Sequence, residues 1–93
     1  MSASPELMDV ARRVVWFKPP EKTLAAPFFF LAHLMTHGIY EEVAVTKRYF
    51  TADDFQQALD NAPPGIFTAR AWAYWNTVFG RVPVPPMPKR RLE

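Results

Sequence analysis

An all-α fold in one small domain is what this sequence predicts, and three observations predict it. No segment alternates apolar and polar residues convincingly at period two, so few or no strands are expected. Apolar residues recur instead at three- and four-residue spacing in successive short segments. Most of these segments carry helix punctuation: Ser or Thr ahead of them, glycine or a Pro-rich turn behind. With 93 residues there is room for a single domain. The expected architecture is a bundle of four to five short helices over residues 1–80. A Pro-rich basic tail, extended or disordered, follows over residues 81–93.

The first helix is signalled by Ser4-Pro5-Glu6. Ser suits the N-cap, Pro the first helical position, and Glu the positive end of the helix dipole. Leu7, Val10, Ala11 and Val14 follow at helical spacing. "WFKPPEK" should interrupt the chain as an extended connection, because Lys18 precedes Pro19 and is pushed out of the α region. A second helix starts near Thr23 or Ala26, accommodates Pro27 in its first turn, and runs to His37. Phe28, Leu31, Leu34 and Met35 form its stripe, and Phe29 and Phe30 broaden it, so it is expected to be central. Gly38 ends it as a C′ residue.

The third helix should run from Ile39 or Tyr40 to Tyr49, with Glu41 and Glu42 in its first turn and Lys47 and Arg48 in its last. The fourth opens on Thr51, with Asp54 three residues on in a capping-box position and Phe55, Ala58 and Leu59 on its apolar face. Asn61 and the Pro63-Pro64-Gly65 turn stop it. The fifth is "TARAWAYWNTVFG", residues 68–80, capped by Thr68 and closed by Gly80. Ala71, Trp72, Trp75, Val78 and Phe79 fall on one arc, with Arg70, Ala73 and Thr77 opposite and Tyr74 at a flank. That pattern reads the two tryptophans as core, and the fifth helix as central beside the second. Neither is expected to be an exposed binding platform.

Composition narrows the chemistry. There is no cysteine, which removes thiolate nucleophiles, disulfides and Cys-based zinc sites. Three glycines, each at a helix end or turn, leave no phosphate-cradling loop. Both serines lie in the first four residues, away from any triad setting. The dense apolar stretch over residues 23–35 contains Pro27 and falls short of the ~20 residues of a bilayer span. The acidic N-terminal segment does not read as a signal peptide, so a cytoplasmic location and no membrane association are expected. The terminal Leu92-Glu93 has the look of a cloning remnant and receives no role.

Charge is unevenly distributed. Residues 1–80 hold seven Lys/Arg against eight Asp/Glu, whereas Arg81, Lys89, Arg90 and Arg91 face only Glu93 in the tail. The folded part is therefore not the broad basic face of a dedicated nucleic-acid domain. The basic tail is the candidate contact surface, through Arg81, Lys89, Arg90 and Arg91. Its "PPMPKR" segment fits a Pro-rich ligand for an aromatic groove. It also suits an acidic protein surface, nucleic-acid phosphates, or nothing beyond solvent. His33 and His37, spaced i, i+4, could share a metal or simply sit at a helix interface. Leu34 stands where a zinc hydrolase helix would carry its glutamate, so no general base accompanies them. Asp53-Asp54 and Glu41-Glu42 are first-turn acids that suit the helix dipole better than acid/base catalysis.

A resemblance adds to this reading. Residues 34–80, "LMTHGIYEEVAVTKRYFTADDFQQALDNAPPGIFTARAWAYWNTVFG", together with "WFKPPEKTL" upstream, resemble a set of small bacterial proteins of about this shape. These are encoded beside nucleotidyltransferase-type toxins of the abortive-infection class and are taken to be the antitoxin side. The likeness spans about two-thirds of the chain and is built from core and turn residues. The Pro-rich basic tail is absent from many members. The resemblance implies a helical, non-catalytic, antitoxin-like protein whose partner is a nucleotidyltransferase toxin, and it carries over no catalytic residue. The expected function is thus a protein-binding module with no cofactor and no metal. A small DNA- or RNA-binding regulator, using the tail with Arg12, Arg13 and Arg70, is the alternative. A thin, aromatic-rich core also leaves homodimerisation open.

Overall fold

The structure is a computed structural model, and it describes residues 5–88. Within them lie six helices and no strand: α1 Pro5–Val14, α2 Pro20–Leu24, α3 Pro27–His37, α4 Tyr40–Thr46, α5 Ala52–Asp60 and α6 Ala69–Val78. The all-α class is as the periodicity predicts. The helix number exceeds the four to five expected, because the Pro19-Pro20 pair does not hold the whole connection extended. Pro19 takes the N-cap position at φ −59°, ψ 137°, and Pro20 occupies the first helical turn, where its fixed φ is already suitable. The connection therefore buys one extra turn, and Thr23 is buried beneath it. Ser4, expected to cap α1, lies outside the described residues.

α3 is the hub and packs against all five other helices. Phe30, Leu31, Ala32 and Leu34 are wholly buried, and together they span roughly 200° around its axis. α1 contributes Leu7, Val10, Ala11 and Val14, as its spacing predicts. α5 contributes Phe55, Ala58 and Leu59, and its Thr51 cap is present in full. Asp54 N–H donates to Thr51 Oγ1 at 3.2 Å, and Thr51 N–H donates to the Asp54 carboxylate at 2.8 Å. Thr68 likewise accepts from Ala71 N–H at 3.2 Å to start α6.

The third helix of the sequence reading is shorter than expected. α4 stops at Thr46, whose hydroxyl donates back to the Glu42 carbonyl at 2.8 Å. Lys47 and Arg48 therefore follow the helix instead of forming its last turn. Arg48 and Tyr49 turn towards α1 and meet the Glu6 carboxylate at 3.2 Å and 2.8 Å.

Two of the carbonyls that end α3 are capped by distant groups. Leu34 O accepts from Gly38 N–H, Met35 O from the Trp75 indole at 2.8 Å, and His37 O from Arg13 Nη2 at 2.9 Å. Gly38 itself is extended, at φ −72°, ψ 144°, so it is not the left-handed C′ residue expected. Its need for glycine is close approach: a Cβ there would stand 2.5 Å from Leu34 O. Gly80, at φ +75°, does take the left-handed conformation after α6.

Candidate functional site

Both tryptophans of α6 are buried, as the arc predicts. Trp72 packs edge-on to Phe67 and donates its indole N–H to Pro85 O at 2.8 Å. Trp75 stacks with Phe79 and packs against Phe55. Val78 departs from the expected core arc and is 52% exposed. Val78 lies on the flank of α6 that lines open cavities, beside the buried Trp75 of the same turn.

The start of the Pro-rich segment lies against the helices. Residues 81–88 carry neither helix nor strand, and Met87 packs on the core. Arg81 N–H donates to Asn76 O at 2.8 Å, and its guanidinium pairs with Asp60 at 2.7 Å. Arg81 therefore closes a contact inside the chain. The carbonyl of Pro85 and the side chain of Met87, both within the Pro-rich ligand motif, are likewise engaged internally. Lys89, Arg90 and Arg91, the rest of the expected contact set, lie outside the described residues.

His33 and His37 do come together, with stacked rings 5.9 Å apart. Phe17 and Phe29 close on the His33 ring at 5.9 Å and 4.6 Å, and Lys18 sits over the Phe29 face at 4.4 Å. Burial, then the neighbouring His37 and Lys18, holds the His33 imidazole below its ordinary pKa. Its Nδ1 is buried with no hydrogen-bond partner. Among the described residues no third His, Cys, Asp or Glu joins a group able to hold a metal. Asp54 is the α5 cap, Asp53 accepts from Gln57 at 2.6 Å, and Glu42 is paired with Arg13. The guanidinium hydrogen bond pulls the Glu42 carboxyl below its ordinary pKa despite partial burial. These acids are structural.

The surface that stands out is one the sequence reading did not single out. α4 and α6 both pack on α3, and a groove opens between them. A cavity of about 460 Å³ is lined by Tyr40, Val43 and Lys47 from the α4 side. Arg70, Tyr74 and Val78 line it from α6, with Met35 and Trp75 also on its walls. A second cavity, of about 320 Å³, shares Lys47, Trp75 and Val78 with it and is also lined by Phe50 and Phe55. Tyr40 is 83% exposed and Tyr74 60%. The signal was present in the sequence, since Tyr40, Val43 and Lys47 are spaced i, i+3, i+7 and form a stripe of their own. A stripe alone does not tell whether a neighbouring helix covers it.

Side-chain charge gives this groove one sign. Among the described residues neither cavity is lined by an acid, while Lys47 and Arg70 both line the larger one. Among the described residues, Arg12, Arg13, Arg48 and Arg81 are ion-paired with carboxylates of the chain itself. Arg70 has no such partner within those residues. No helix among the described residues is long and apolar enough to cross a membrane. The chain matches no family model, no curated protein and no solved structure.

Proposed function

We propose that this protein is a non-catalytic protein-binding module and that the groove between α4 and α6 receives a segment of its partner. The observation that carries the reading is the cluster of Tyr40, Tyr74 and Val78, all more than half exposed and bordering one apolar groove. Exposed aromatic and aliphatic side chains gathered along a concave surface are the composition of interface cores. Following the resemblance to antitoxin-like proteins, the partner is a nucleotidyltransferase-type toxin, and binding would act by covering or holding that enzyme. Lys89, Arg90 and Arg91 are the tail cations left for an additional partner contact, since Arg81 is held by Asp60 within the chain.

The alternative, a DNA- or RNA-binding regulator, draws less support. Of its expected contacts, Arg12, Arg13 and Arg81 have their charge met by Asp9, Glu42 and Asp60, which leaves Arg70 as the unpaired one among the described residues. Its distinguishing property would be steep salt dependence.

Affinity capture of the tagged full chain from its native host tests the proposal. It is run beside a Tyr74→Ala/Val78→Ala variant and a chain ending at Gly80, with the captured protein identified. A nucleotidyltransferase held by the wild type and lost with the double variant supports the groove. One lost only with the truncation transfers the contact to the tail. Recovery of nuclease-sensitive nucleic acid alone favours the regulator.

A further inference from the structure

We infer that the occupant of the α4/α6 groove is an acidic peptide segment bearing one or two large apolar side chains. This rests on the reading of the groove as a protein-docking surface and names the chemistry of what docks. Three observations lead to it. The walls offer Met35, Val43, Trp75 and Val78 as apolar surface, with Tyr40 and Tyr74 standing at the rim. Lys47 lines both cavities and Arg70 lines the larger one, and among the described residues no carboxylate lines either. Within the described residues the other arginines are all neutralised by the chain's own acids, so the positive charge left for a partner includes the pair at this groove.

Cations held beside apolar surface favour a ligand that supplies carboxylates at the rim and buries its aromatic or aliphatic side chains between the tyrosines. Complementary charge sets orientation and encounter rate, and apolar burial supplies the affinity. The chain's own residues 89–93 have the wrong sign for this site, with Lys89, Arg90 and Arg91 against Glu93. Glu42 of α4 does not compete, because it is committed to Arg13 and to the Ile39 N–H at 3.0 Å.

The test is selection of a random dodecapeptide display library on the immobilised full chain. Synthetic copies of the enriched peptides are then titrated against wild type, Tyr74→Ala and Lys47→Glu/Arg70→Glu. The expected peptides combine Asp or Glu with Leu, Phe or Trp. They shift the backbone amide signals of Lys47 and Tyr74, and they bind about tenfold more weakly to the charge-reversed protein. Peptides that map to the groove but lack acids, or ignore the charge reversal, overturn the inference while leaving the docking surface in place. Failure to enrich any groove-binding peptide overturns both. Self-association abolished by Tyr74→Ala would make a second copy the occupant. Tight binding of an oligothymidine probe at the same amides would make it nucleic acid. Either result overturns the acidic peptide.

Discussion

The indole N–H of Trp75 donates to the main-chain carbonyl of Met35 at 2.8 Å, joining α6 to the last turn of α3. That carbonyl belongs to a helix end, where the regular i→i+4 ladder runs out. Chain continuation cannot satisfy it, because Ile39 N–H is engaged by Glu42. One tryptophan therefore both fills the core and caps the central helix.

Trp75→Phe should keep most of the packing and lose the cap. The expected cost is ~1–3 kcal/mol, the penalty of leaving a buried acceptor unpaired. Trp75→Ala adds a cavity and should cost ~3–5 kcal/mol. Urea unfolding of the two variants separates the two contributions. Equal destabilisation by Phe and Ala would show that the hydrogen bond, not the volume, dominates.

Trp72 and the start of the Pro-rich segment stabilise each other. Trp72→Ala should cost ~3–5 kcal/mol. Ending the chain at Gly80 removes the Met87 contact, the Arg81–Asp60 pair and the acceptor for the Trp72 indole. The truncation should cost about 2–4 kcal/mol, from partial apolar burial and two hydrogen-bonded contacts. A melting temperature equal to that of the full chain would show that residues 81–88 add nothing to the fold.

Stability should fall on mild acidification. The folded His33 holds its proton less tightly than an unfolded histidine of ordinary pKa 6.5. The unfolded state then binds more protons, so this contribution is present above about pH 6.5 and is lost as pH drops below it. Glu42, depressed from 4.5 by Arg13, adds a second loss at lower pH, as its folded carboxyl takes up a proton. Chemical denaturation of His33→Gln at pH 7.5 and 5.5 should show a smaller difference than wild type. An unchanged difference would remove His33 as its source.

Gly38→Ala should destabilise although the backbone there is extended and open to any residue. The new Cβ would meet Leu34 O at 2.5 Å and Leu34 Cδ1 at 2.8 Å. Neither the α3 terminus nor the buried Leu34 can yield freely, so a cost of ~1–3 kcal/mol is expected. Gly80→Ala has open space around it and a positive φ, so its cost would be conformational alone. Thermal melts of both variants distinguish the two causes.

Much of the fold was legible locally. Thr51 with Asp54, Thr68, Pro27 and Gly80 mark helix ends through interactions spanning at most four residues, and the structure uses them in those roles. The apolar spacings of α1 and α5 named their buried residues correctly. Where the reading erred, a local rule had two permitted outcomes. Pro20 could break the chain or begin a turn, and Thr46 could continue α4 or bond back to end it.

The sequence by itself determined the helical class, the central place of α3 and the burial of both tryptophans, because periodicity and capping act within a turn or two of one helix. The tertiary structure decided which arginines are spoken for, that Val78 faces a groove beside its buried neighbour Trp75, and that α4 and α6 leave that groove uncovered. Those properties depend on which distant side chains meet. Arg13 with Glu42, Arg81 with Asp60 and Trp75 with Met35 are pairings that only the packing of whole helices creates.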